Sequence, residues 1–207
     1  MHRKLLTACI AVAAFAAFVV PTGASAANLT ENGVTLTVGA SITGTSTLAR
    51  FINSNNTVTC THAHISGTVT ADANGTIAAE IAAGNPAFTG IGGGGDCESV
   101  GLGAVKPVVN SKLCLHIAKG TDTGTVTGCA GTAVTLTLKV TNFGLECHYE
   151  RASIAAEITT APADAQVRVV PGQLIKRHSS SFLCPAEYEF ELELKLTTTD
   201  GTTLVFS

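Results

Sequence analysis

Residues 187–196 read Glu187-Tyr188-Glu189-Phe190-Glu191-Leu192-Glu193-Leu194-Lys195-Leu196. Successive side chains of a strand point to opposite faces, so Tyr188, Phe190, Leu192, Leu194 and Leu196 share one face. Four Glu and Lys195 occupy the other, which predicts one face on a core and one in water. A row of like charges repels itself unless a basic strand lies beside it, and Arg168, Lys176 and Arg177 are the expected cross-strand partners. The row is not read as a calcium site. Alternate residues of an extended strand stand about 6.8 Å apart, too far for neighbouring carboxylates to grip one ion.

The same period of two runs through Val34 to Val38, Thr123 to Cys129 and Val134 to Val140, where Thr alternates with apolar or β-branched residues. Such side chains are stiff in helices and pack well on a pleated surface. Gly, Asn and Asp punctuate at short intervals, as in Asn32-Gly33, Asn53 to Asn56, Pro171-Gly172 and Asp200-Gly201. Asn-Gly and Asp-Gly accept the positive φ of tight hairpins, so neighbouring strands are expected to pair antiparallel. No segment shows a capped 3.6-residue apolar period. The reading is an all-β chain of about twelve or more short strands, an antiparallel β-sandwich or barrel-like sandwich.

The chain has 207 residues and begins with His2, Arg3 and Lys4, followed by an apolar run from Leu5 to Val20 that Pro21 ends. Ala24-Ser25-Ala26 is a small-x-small site, so residues 1–26 read as an export signal cleaved before Ala27. Leu6-Thr7-Ala8-Cys9 resembles a lipoprotein box, but most of the apolar run follows it, and Cys9 reads as part of the signal. The run is short for a membrane span, and no second one follows. Residues 27–207 then form one β-rich domain, with a sub-boundary sought near 111–131.

Six cysteines remain: Cys60, Cys97, Cys114, Cys129, Cys147 and Cys184. An even number in an exported chain implies disulfides, and six thiols allow fifteen connectivities. Cys60 to Cys97 and Cys147 to Cys184 each span 37 residues and flank a pair 15 apart. The simplest pattern is Cys60–Cys97, Cys114–Cys129 and Cys147–Cys184. A structural zinc site lacks any Cys-x2-Cys pair. The equal spans raise the idea of two related halves, and Thr76 to Ile81 echoes Ser153 to Ile158. The registers disagree, since Ile77 lies 17 residues after Cys60 and Ile154 only 7 after Cys147. Ala-rich composition equally produces such an echo.

The formal charge of −3 becomes −5 once Arg3 and Lys4 leave with the signal. A mildly acidic chain without a basic cluster is a poor ligand for nucleic acid or anionic membrane. His62-Ala63-His64 places two imidazoles on one strand face, the arrangement of a metal-binding pair, with His116 or His148 as a third ligand. No carboxylate stands at a diagnostic spacing, so His62 and His64 are candidates and no metal or cofactor is expected. Gly-x-Ser-x-Gly is absent, no cysteine is left as a thiolate, and Asp96 and Glu98 beside Cys97 have no aromatic cleft around them. The Gly90 to Gly95 loop precedes no helix and is not a phosphate cradle. Three sequons, at Asn28, Asn55 and Asn74, matter only in a glycosylating host.

With Val58-Thr59-Cys60, Cys114-Leu115-His116-Ile117 and Ser181-Phe182-Leu183-Cys184-Pro185 in view, the chain resembles a group of uncharacterised exported actinobacterial proteins. These are rich in Thr-bearing strands and spaced cysteines. The resemblance implies export and a disulfide-bonded β fold, and no activity. The expectation is a non-enzymatic exported β protein, a structural or interaction module of the cell envelope or extracellular space with a partner there. Alternatives are a carrier of a small apolar ligand and a metal-dependent or hydrolytic secreted enzyme. Tyr149, Phe88 and Phe51 are binding anchors if exposed, and core otherwise.

Overall fold

The computed structural model describes residues 28–73, 76–90, 95–159, 163–170 and 174–207, with 73 and 174–180 followed as backbone. The expected signal with Cys9, the Asn74 sequon and most of the Gly90 to Gly95 loop lie outside these residues. In chain order the strands are β1 (Leu29–Glu31), β2 (Val34–Thr35), β3 (Ser41–Ser46), β4 (Ala49–Ile52), β5 (Thr57–Cys60), β6 (His62–Ala73) and β7 (Thr76–Ile81). Then come β8 (Ala87–Thr89), β9 (Cys97–Ser99), β10 (Gly103–Val109), β11 (Leu113–Ala118), β12 (Thr123–Gly128) and β13 (Val134–Val140). The chain ends with β14 (Leu145–Arg151), β15 (Ser153–Thr159), β16 (Gln166–Val169), β17 (Leu174–Ser180), β18 (Glu187–Thr198) and β19 (Leu204–Phe206).

The Glu/Leu strand is the hinge of the architecture. The first part of β18 pairs with β17 and β4, and its second part with β16 and β3. Following the second part around, β18, β3, β6, β7, β11, β12, β15 and β16 close an antiparallel barrel of eight strands. Following the first part, β18, β4, β5, β9, β10, β13, β14 and β17 also return to β18. We call these the first and second rings. Closure leaves no strand edge unpaired within a ring, which removes the usual route to edge-to-edge aggregation.

Neither ring is a contiguous stretch of chain. The hairpins β4–β5, β9–β10, β13–β14 and β17–β18 belong to the second ring, and β6–β7, β11–β12 and β15–β16 alternate with them in the first. The three disulfides are Cys60–Cys97, Cys114–Cys129 and Cys147–Cys184, as the spacing predicts. The two 37-residue spans now have a physical meaning. Each begins in the second ring, makes a hairpin excursion into the first (β6–β7 or β15–β16), and is tied where it returns. Cys114–Cys129 instead closes the base of the β11–β12 hairpin. The echo strands are β7 and β15, the second strand of one excursion and the first of the other, which accounts for their discordant registers.

Alternation decides what is buried. Tyr188, Phe190, Leu192, Leu194 and Leu196 all lie within one continuous core that both rings share. Phe51, Phe88 and Phe190 meet there, Phe51 and Phe190 stacked at 4.7 Å between centroids and Phe88 edge-on to both. Phe51, Phe88 and Tyr149 are therefore core side chains, not surface anchors. Small inward residues, among them Gly44 of β3 and Gly67 of β6, leave an apolar cavity of about 110 Å³ bounded also by Phe88, Phe190 and Leu194. Outside the rings, β19, β1 and β2 form a small sheet. Its β1–β2 turn holds Asn32 at φ 50° and Gly33 at φ 80°, both positive as a tight hairpin requires.

Candidate functional site

The outward face of β18 becomes a groove where the two rings meet. At Glu191 and Leu192 the strand is paired with Arg50 and Ala49 of β4, and at Glu193 to Lys195 with Arg168 to Gln166 of β16. Around this exchange of partners the chain turns from β3 to β4 through Thr47 and Leu48, which also line the groove. The groove encloses about 740 Å³ and is lined by Arg50, His62, His64, Arg168, Glu191 and Glu193, with Leu48 and Lys195 at its margins.

Each charged side chain reaches the groove because its strand neighbours are buried. Ala63 and Ile65 turn inward, so His62 and His64 turn outward on one face. His62 Nδ1 lies 3.3 Å from the Thr61 hydroxyl and His64 Nε2 lies 3.2 Å from that of Ser66. Arg50 Nε stands 3.6 Å from a Glu191 carboxylate oxygen, Lys195 Nζ 2.7 Å from Asp164, and Arg168 Nη1 4.0 Å from Glu157. Glu193 makes no ion pair among the described residues. Half-exposed pairs of this kind contribute about 0–1 kcal/mol each. A charged ligand can therefore replace them at little cost to the fold.

The remaining candidates are spread over the molecule. His116 lies on β11 opposite Ala78 of β7, with β7 between it and β6. His148 belongs to the second ring, where its Nδ1 is 3.0 Å from the buried Thr137 hydroxyl. Neither joins His62 and His64. Among the described residues, the group with three metal-type ligand atoms close together is Glu80, Cys114 and Cys129. Its two sulfurs form a disulfide and supply no thiolate. Asp96 accepts the Thr141 hydroxyl, while Glu98 is exposed on β9.

Of the basic residues expected beside the Glu row, Arg168 opposes Glu193 and Lys176 opposes Glu187 in register, whereas Arg177 opposes Tyr149. Arg50 is the partner that sequence reasoning missed. Its alternation with Ala49 and Phe51 marks it as outward-facing, but nothing local says that β4 lies beside β18. No family model matches the chain, and neither does a curated protein or a solved structure.

Proposed function

We propose that the chain is a non-enzymatic exported module of the cell envelope or extracellular space, acting by recognition of a partner through the seam groove. The observation that carries this reading is the groove itself. It is of the size that holds a ligand or a partner's segment, roughly 300–1,000 Å³. Both signs of charge line it, and closed rings hold its walls. Three disulfides are compatible with an oxidising compartment, and no helix among the described residues is long and apolar enough to cross a membrane.

The test is retention on isolated envelopes of the host. Wild-type protein is compared with the double variant Arg50→Glu and Arg168→Glu, with circular dichroism as the control for folding. Retention that falls with salt and is lost in the variant supports groove recognition. Equal retention of both proteins, or none by either, would sink it.

A carrier of a small apolar ligand is the second reading, favoured by the apolar cavity in the barrel. Its size ranks it second. About 110 Å³ lies below the usual range for ligand pockets and suits a guest of only a few heavy atoms.

A further inference from the structure

The two ends of the molecule differ in kind. The first ring's hairpin turns carry Lys119, Asp122 and Asp164, and that end is covered by the β19–β1–β2 sheet. The second ring's four hairpin turns, residues 53–56, 100–102, 141–144 and 181–186, face away from the first ring and contain no Asp, Glu, Lys, Arg or His. They sit together. Gly103, ending one turn, abuts Asn142 of the next, and Gly101 lies beside Asn56. Cys184 is joined to Cys147 just past the 141–144 turn, and the Tyr188 hydroxyl donates to Asn56 at 3.1 Å.

On these uncharged turns stand four of the seven exposed large hydrophobic side chains among the described residues: Val100, Phe143, Phe182 and Leu183. Phe182 is 89% exposed and Phe143 68%. Water-exposed apolar side chains on three separate hairpin tips, two of them bearing a Phe, are costly to leave wet, and clustered exposed apolar surface marks an interaction site.

We propose that this end of the second ring docks on the surface of a neutral lipid bilayer, with Phe143, Phe182 and Leu183 inserted at the boundary between headgroups and acyl chains. The charge pattern selects this occupant. Tips without charge enter that boundary without the desolvation cost an ion would carry, and the acidic chain offers no attraction to anionic headgroups. A second copy is the poorer occupant: the recess beside the tips, lined by Ile52, Asn53, Asn55, Pro185, Glu187 and Glu189, carries two carboxylates that an aromatic tip would have to desolvate.

The experiment uses the disulfide-bonded chain and vesicles of phosphatidylcholine. Wild type should float with the vesicles equally at low and high salt. The double variant Phe182→Ser and Leu183→Ser should lower the bound fraction about tenfold or more, given the apolar area removed from the contact. Because the chain contains no Trp, Phe182→Trp supplies a single reporter at the tip. Its emission should shift to the blue when vesicles are added. An unshifted emission, flotation unaffected by the double variant, or binding that requires anionic lipid overturns the proposal. So does a wild-type dimer in sedimentation that the double variant dissolves, since a second copy then covers the tips.

Discussion

The backbone N–H of Leu29 donates to Asp72 Oδ2 over 3.1 Å, fastening β1 to the first ring. Lys119 Nζ lies 3.7 Å from the other carboxylate oxygen and donates to Asn28 Oδ1 at 2.7 Å. Burial raises the Asp72 pKa above its ordinary value, and the Leu29 and Lys119 contacts only partly offset it. A carboxyl group whose folded pKa is raised takes up a proton more readily folded than unfolded. Its contribution to stability is therefore fully present below the unfolded pKa and is lost as pH rises through the folded one. The stability difference between wild type and Asp72→Asn, measured by urea denaturation, should shift in favour of wild type as pH falls from neutral toward 4. A shift the other way would mean that Asp72 is held ionised.

Phe190 stacks on Phe51 and meets the edge of Phe88 where the two rings share their core. Truncating it removes a large buried ring with little room for neighbours to close in. Phe190→Ala should cost about 3–5 kcal/mol in a denaturant melt, as large-to-small core changes do. A loss under 1 kcal/mol would show that the junction is loosely packed.

Gly44 faces the cavity, and a methyl group built on it would meet Leu194 and Leu196 at 3.4 Å, ordinary contact. Gly44→Ala fills space and reduces the freedom of the unfolded chain. It should stabilise by about 0.5–1 kcal/mol. Gly128 is the contrast, since its added methyl would sit 2.6 Å from the Ala133 carbonyl. Thermal melts of the two variants should move in opposite directions.

Non-reducing peptide maps of the oxidised protein should recover the three pairs and no cross-pair. On loop length alone, opening Cys60–Cys97 should cost about 3.8 kcal/mol and opening Cys114–Cys129 about 3.0. Paired Cys→Ser variants measured in denaturant decide whether that order holds.

What the sequence revealed follows from what local pattern encodes. The alternation in Glu187 to Leu196 and the equal cysteine spans name the buried face and the disulfides, because both depend only on neighbours and spacing. A period of two does not say which strand lies alongside. Hence the Glu191–Arg50 pairing, the change of partners along β18 and the two closed rings come from the structure. His62 and His64 were legible as a pair sharing a face. That they share a groove with Arg50 and Arg168 depends on strands far apart in the chain. Ser181 to Pro185 stood out only as a motif around Cys184, and nothing local showed that strand pairing brings Val100 and Phe143 to the same end of the second ring.

Because β18 closes both rings, order of synthesis matters as much as order in space. Gly44 pairs with Leu196 and Phe51 with Phe190, so strands near the start of the chain wait for one near its end. Contacts this distant in sequence make folding slow, since loop closure must precede the reward. The chain that leaves the ribosome first has no complete ring to enter until residues 187–198 are available. Neither ring can close on a chain that still lacks β18, so the native shape follows the arrival of that strand.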